Sequence, residues 1–120
     1  MMDEGRPIFV QIAEQIENAI VDGSLAEEAQ VPSTNELAAF HRINPATAAK
    51  GINELVDDGI LYKKRGIGMF VAAGARAKLR LRRREQFAER YLRPLLVEAR
   101  KLDMSATELK DMIDSWGDTQ

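Results

Sequence analysis

Residues 31–59 read VPSTNELAAFHRINPATAAKGINELVDDG and hold two helix starts, at Ser33 and at Asn44. Ser33-Thr34-Asn35-Glu36 has capping-box spacing. The serine hydroxyl can accept the amide three residues on, and the glutamate can reach back to the serine amide. Leu37, Ala38 and Phe40 supply the apolar contacts of the helix that follows. His41-Arg42-Ile43-Asn44-Pro45 interrupts it after about two turns. Asn44 then caps a second helix, and Pro45 fits the first helical position, where no amide donor is needed. Ala48, Ile52, Leu55 and Val56 recur at helical spacing as a buried stripe, and Gly59 ends it. Gly51, inside that helix, costs about 1 kcal/mol against alanine, which tight packing would explain.

Upstream, Pro7 opens a helix whose Phe9, Ile12, Ile16, Ala19 and Ile20 fall on one face, with Glu14, Glu17 and Asn18 on others. Gly23 can supply the left-handed residue that ends it, and residues 24–32 read as a connection. Downstream, Ile60–Lys64 and Met69–Ala72 are strand candidates around the hairpin tip Arg65-Gly66-Ile67-Gly68. From Arg76 to about Lys101 there is no glycine, which predicts one helix about 35–40 Å long with a kink or break at Pro94. Ser105-Ala106-Thr107-Glu108 is a second capping box. It opens a final helix with Leu109, Met112, Ile113 and Trp116 on one face.

The 120 residues suffice for one small domain plus an extension, which excludes a multi-domain enzyme. Hydrophobic residues make up 45% and charged residues 30%, a globular composition. The absence of cysteine excludes disulfides, thiol nucleophiles and Cys-based metal centres. The single histidine, His41, excludes a histidine cage and reads as a turn residue. Asp57-Asp58 sit at a helix end without a partnering base, so no hydrolytic site, metal or cofactor is expected. No apolar run approaches the roughly 20 residues of a membrane span. The acidic N-terminus lacks the apolar core of a secretory signal. A cytoplasmic chain without membrane contact is the expectation. Charge is uneven: residues 1–75 carry net −5, residues 76–101 net +7 and residues 102–120 net −4. The basic block is a polyanion contact, an internal electrostatic partner or a solvated helix face.

Two helices joined by a short turn, then a basic hairpin, follow the order of a winged helix–turn–helix. The second helix of such a pair fits the major groove of duplex DNA, and the hairpin supplies cations. The less favoured alternative for Lys63-Lys64-Arg65 is an ordinary solvated turn. The expected fold is mainly α with a small β-wing. Its winged helix–turn–helix spans residues 6–75, and a short helical dimerisation segment spans residues 76–120.

The motifs Pro7-Ile8-Phe9-Val10-Gln11-Ile12, Val31–Ala38, Ile43–Gly51, Leu55, Gly59-Ile60 and Arg65–Val71 resemble the N-terminal domain of GntR-type bacterial transcription regulators. The match runs over residues 7–72. The opening Pro-Ile-Phe and the Asn44-Pro45 pair resemble the short YtrA-like branch, which carries only a small helical C-terminal part. The resemblance implies DNA contacts at Ser33, Thr34 and Asn35, at Asn44, Ala46, Thr47 and Lys50, and at Lys64, Arg65 and Gly66 of the wing. Asn35 stands where many relatives carry arginine, and Pro45-Ala46 where many carry arginine-threonine. Asparagine reads adenine, whereas arginine reads guanine. The residue chemistry agrees in part. Ser33 and Thr34 present hydroxyls and amides at a helix N-terminus, a natural phosphate site, although Ser33 would cap a helix in any fold. Thr47 and Lys50 lie three apart and so share a face, away from Ile52, Leu55 and Val56.

Phe87, Tyr91, Leu92, Leu95, Leu96 and Ala99 form a stripe that must be buried either on a second copy or on the chain's own first helix. A twofold dimer would present two reading helices to successive major-groove turns of a pseudo-palindromic operator. Arg80, Arg82, Arg83 and Arg84, with Arg76 and Lys78, are candidate phosphate contacts. The resemblance also implies a small-molecule effector, with a candidate crevice near Tyr91, Met112 and Trp116. The function expected is thus a homodimeric, sequence-specific repressor. The alternative is a winged module for architectural DNA binding or protein contacts.

Overall fold

Pro7, at φ −56°, leads directly into helix α1 (Ile8–Asp22), because the proline ring holds the chain in a helix-compatible φ. The computed structural model describes residues 5–119. Gly23 ends α1 at φ +89°, its amide donating to the Ile20 carbonyl. Ile12, Ile16 and Ile20 form the buried stripe, joined by Ala13 and by Gln11, whose Nε2 donates to the Arg6 carbonyl at 3.0 Å.

Helix α2 (Thr34–His41) starts on the expected capping box. The Glu36 amide donates to Ser33 Oγ at 3.1 Å, and the Ser33 amide donates to Glu36 Oε1 at 3.0 Å. Arg42, in the left-handed region at φ +56°, turns the chain, and the Ile43 amide returns to the Ala38 carbonyl at 3.0 Å. Phe40 does not pack as its apolar character suggested; it is 82% exposed. Ala38 is the buried residue of this eight-residue helix, and a position two further on points roughly to the opposite face.

Asn44 caps helix α3 (Pro45–Asp57), its Oδ1 accepting the Ala46 amide at 2.8 Å. Ala48, Ile52 and Leu55 are buried as expected, with Val56 half-buried. Gly51 is buried too, and the packing explains it: a Cβ there would stand 2.7 Å from the Phe9 carbonyl oxygen. Glycine is what lets α3 approach the main chain of α1.

Strands β1 (Leu61–Lys64) and β2 (Gly68–Val71) pair antiparallel, Leu61 opposite Val71 and Lys64 opposite Gly68. The stretch read as a plain connection is more than that. The Glu28 amide donates to the Val71 carbonyl at 2.8 Å, the Val71 amide to the Ala29 carbonyl at 3.0 Å, and the Val31 amide to the Met69 carbonyl at 2.9 Å. Residues 28–31 thus form a strap along the β2 edge. A lone bridge of this kind leaves no trace in hydrophobic periodicity, because its partners are distant in sequence.

The core joins Ile12, Ile16, Ile20, Val31, Ile52, Leu55, Ile60, Leu61 and Val71, and continues into Ala75 and Leu79 of helix α4 (Ala75–Phe87). The chain divides into two compact units, one ending at Leu81 and one beginning at Arg82. The fold class is the expected one, mainly helical with a two-stranded wing.

The long basic helix is continuous in a different way from that expected. No break falls at Pro94. Instead a π-helical turn, Ala88–Leu92, separates α4 from α5 (Arg93–Lys101). The Arg93 amide donates to the Ala88 carbonyl, five residues back. Proline lacks an amide donor and its ring crowds the carbonyl four residues earlier. Widening the preceding turn by one residue relieves that clash while the helix continues. The second capping box forms as read, with Ser105 and Glu108 bonded reciprocally at 3.1 and 3.2 Å, and opens helix α6 (Ala106–Thr119).

Candidate nucleic-acid interface

The first turns of α2 and α3 and the tip of the wing all lie in the first unit. Ser33 and Asn35 are exposed and Thr34 is half-buried. The Ser33 hydroxyl accepts the Glu36 amide and lies against the Glu36 carboxylate, so what this helix start offers a phosphate is the first amides of α2. Asn44 and Ala46 are exposed and Thr47 is half-buried. The apolar side of α3 is turned into the core, and its opposite side faces outward with Lys50. The Lys50 ammonium stands 4.0 Å from the centre of the Phe9 ring. That contact tethers a flexible cation to α1 while leaving it exposed.

At the wing, Lys64, Arg65 and Gly66 are exposed. The Lys64 ammonium lies 4.3 Å from the Phe70 ring centre. Tyr62 Oη donates to Glu28 Oε2 at 2.6 Å, tying β1 to the strap. Accepting that bond, the carboxylate stabilises the neutral phenol, so the Tyr62 pKa is raised. The strap ends at Val31, two residues before the α2 cap Ser33, so a short stretch of chain links the wing to the start of α2.

The basic block is used unevenly. Arg76 Nε donates to the Val21 carbonyl at 3.1 Å, and Arg80 Nη2 reaches the same oxygen at 3.4 Å. Lys78 donates to the Asp58 carbonyl. Three cations of α4 therefore sit on the C-terminal carbonyls of α1 and α3, where helix dipoles favour positive charge. Charge counting allowed an internal partner but could not name it, because the acceptors are main-chain atoms. Arg82, Arg83 and Arg84 belong to the second unit. Within that unit Phe87, Tyr91, Leu92, Leu95 and Leu96 are exposed, whereas Ala99 is buried in the chain itself. Tyr91, Met112 and Trp116 are exposed and do not line the groove of about 230 Å³ along the π-helical turn, which is formed by Leu92, Leu96 and Val97 with Glu89, Arg93 and Arg100. Among the described residues no cluster of His, Cys, Asp or Glu could hold a metal ion.

Residues 9–71 match the family described as bacterial regulatory proteins, gntR family. The chain belongs to the GntR family. YtrA of Bacillus subtilis (strain 168), an HTH-type transcriptional repressor, is 28% identical over 107 residues, covering 89% of this chain and 82% of YtrA. The match to the short repressor thus extends beyond the winged part into the C-terminal helical region, as expected for a YtrA-like GntR protein. NagR of the same organism is 36% identical over 66 residues, and this chain spans only 27% of its length. A GntR-family regulator structure from Bacteroides thetaiotaomicron superposes with a TM-score of 0.75 at 32% identity, covering 94% of this chain and 98% of that one. The DNA-binding domain of AraR, solved in complex with an operator, matches at 34% identity and TM-score 0.52, covering 53% of this chain and 77% of that one. These GntR relatives are transcription regulators, not enzymes. Among the described residues no helix is long and apolar enough to cross a membrane.

Proposed function

We propose that this GntR regulator binds duplex DNA sequence-specifically as a homodimeric repressor, with α3 in the major groove and the wing alongside it. Residues 6–75 would be the reading head and residues 76–120 the dimerisation segment. The observation that carries the reading is the one-sided burial of α3: Ala48, Gly51, Ile52 and Leu55 are buried, while Asn44, Ala46 and Lys50 face outward from a capped helix start. That is the geometry a groove-reading helix requires. Ser33, Thr34 and Asn35, with Lys64, Arg65 and Gly66, would hold backbone and flanking sugars, and Arg80, Arg82, Arg83 and Arg84 further phosphates. The AraR–operator complex supports DNA as the partner.

Dimerisation is supported by the apolar residues the second unit leaves exposed, Phe87, Tyr91, Leu92, Leu95 and Leu96 among them. A stripe of that size calls for a partner surface, and a second copy supplies one with the symmetry of a pseudo-palindromic operator. Effector control belongs to the same reading. It is supported by the groove along the π-helical turn, whose volume of about 230 Å³ admits a small ligand.

Selection of bound duplexes from a random pool at fixed salt tests the proposal. A pseudo-palindromic consensus is expected, and Thr47→Ala with Lys50→Ala should abolish the preference while leaving the dimer intact. Retained selectivity in the double variant would move the reading surface elsewhere. Wild-type binding without preference would instead fit the architectural module.

A further inference from the structure

Gln30 belongs to none of the motifs that point to DNA, yet its side chain reaches the tip of the wing. Its backbone bridges Phe70, and its Nε2 donates to the Ile67 carbonyl at 3.2 Å. That carbonyl lies between Gly66 at φ +76° and Gly68 at φ +147°. A Cβ on Gly68 would stand 2.6 Å from the same Nε2, so glycine at 68 is what admits the amide. The Ile67 amide donates to the Lys64 carbonyl at 2.9 Å, so both polar groups of the tip residue are fixed. Without the Gln30 bond, a tip flanked by two glycines would sample many conformations. Ile67 is 64% exposed and follows exposed Lys63, Lys64 and Arg65 in the hairpin. An apolar branched side chain among cations at a hairpin tip matches a minor-groove rim, where apolar sugar surface lies between phosphates.

We propose that Gln30 is a positioning residue for the wing, and that the tip it holds presents Ile67 to the deoxyribose rim of the minor groove. The inference rests on the DNA-binding reading and adds to it. The strap carrying Gln30 ends two residues before Ser33, so one short stretch of chain joins the wing tip to the cap of α2.

Hydroxyl-radical footprinting at saturating protein, on duplexes selected by the wild-type chain, reads sugar contacts directly. Gln30→Met keeps the volume but removes the donor, and Ile67→Ala shortens an exposed side chain. Each should lose sugar protection at the wing position while keeping protection at the half-site read by α3. Affinity should fall about three- to tenfold, the worth of one hydrogen bond or one small apolar contact. The salt slope should stay constant, because no cation is removed. Wing protection unchanged in Gln30→Met overturns the positioning role, as does loss of protection at both places together, which marks a merely structural residue. Wing protection unchanged in Ile67→Ala overturns the contact, and this variant carries the test if Gln30→Met fails to fold. A wild-type chain that protects the half-site but no wing sugar overturns this inference alone. A wild-type chain that protects no duplex overturns the DNA-binding reading itself.

Discussion

Replacing Gly51 by alanine sets two effects of known size against each other. Helix propensity favours alanine by about 1 kcal/mol in a helix interior. The added Cβ would lie 2.7 Å from the Phe9 carbonyl oxygen and 3.4 Å from Ile12 Cβ and Cγ2. Ordinary contact begins near 3.4 Å, so α3 must retreat by about 0.7 Å at that point. The obstructing atom is main chain, and Ile12 behind it is only 1% exposed, so neither can swing aside. Overpacking of this kind costs about 1–3 kcal/mol. The clash wins, with a net loss of about 1 kcal/mol, or about 4–8 °C in melting temperature for a domain of this size. Thermal unfolding followed by circular dichroism reads the shift. Gly117→Ala is the internal control, since a Cβ at Gly117 in α6 meets nothing within 4 Å; there propensity acts alone and the sign should reverse. If Gly51→Ala melts at or above the wild-type temperature, the close approach of α1 and α3 is not what holds glycine at that position.

Three further outcomes are expected. The Ser33 amide and then the Ser33 hydroxyl, bonded to Glu36, hold its pKa below the usual 4.5. The cap's charge-dependent stability is therefore complete above pH 4.5 and is lost as pH falls through the lower folded value; melting curves across acid pH should decline more steeply in the wild type than in Glu36→Gln, where Asp22 and Glu89 still titrate. Charge reversal at Arg82, Arg83 and Arg84 should flatten the salt dependence of operator binding, the log–log slope falling by about 0.9 for each phosphate no longer neutralised; an unchanged slope would remove these residues from the DNA. Phe87→Glu with Leu95→Glu places charge on the exposed stripe and should give monomers in sedimentation with the winged unit still folded; an intact dimer would place the interface elsewhere.

The helix starts, the wing tip and the second capping box were legible because each rests on bonds between residues two to four positions apart. Ser33 with Glu36 and Asn44 with Ala46 are local chemistry, and the sequence displays local chemistry directly. The stripes on α1 and α3 were legible for the same reason, since helical periodicity follows from backbone geometry alone. The candidate interface was readable as far as those helix starts and the basic hairpin reach, and the family resemblance supplied the rest.

What tertiary structure decided lies between residues far apart. Phe40 looked like a core residue by type, but an eight-residue helix that buries Ala38 has no second face to bury. Gln30 meets Ile67, Arg76 meets Val21, and Lys78 meets Asp58, and none of these pairs has a signature in spacing or composition. The basic block showed its charge in the sequence and concealed its acceptors, because backbone carbonyls at helix ends are the same whatever the side chain. Pro94 announced a disturbance; the choice between a break and a widened turn depended on whether the helix could satisfy its amides around the ring, which only the folded backbone determines.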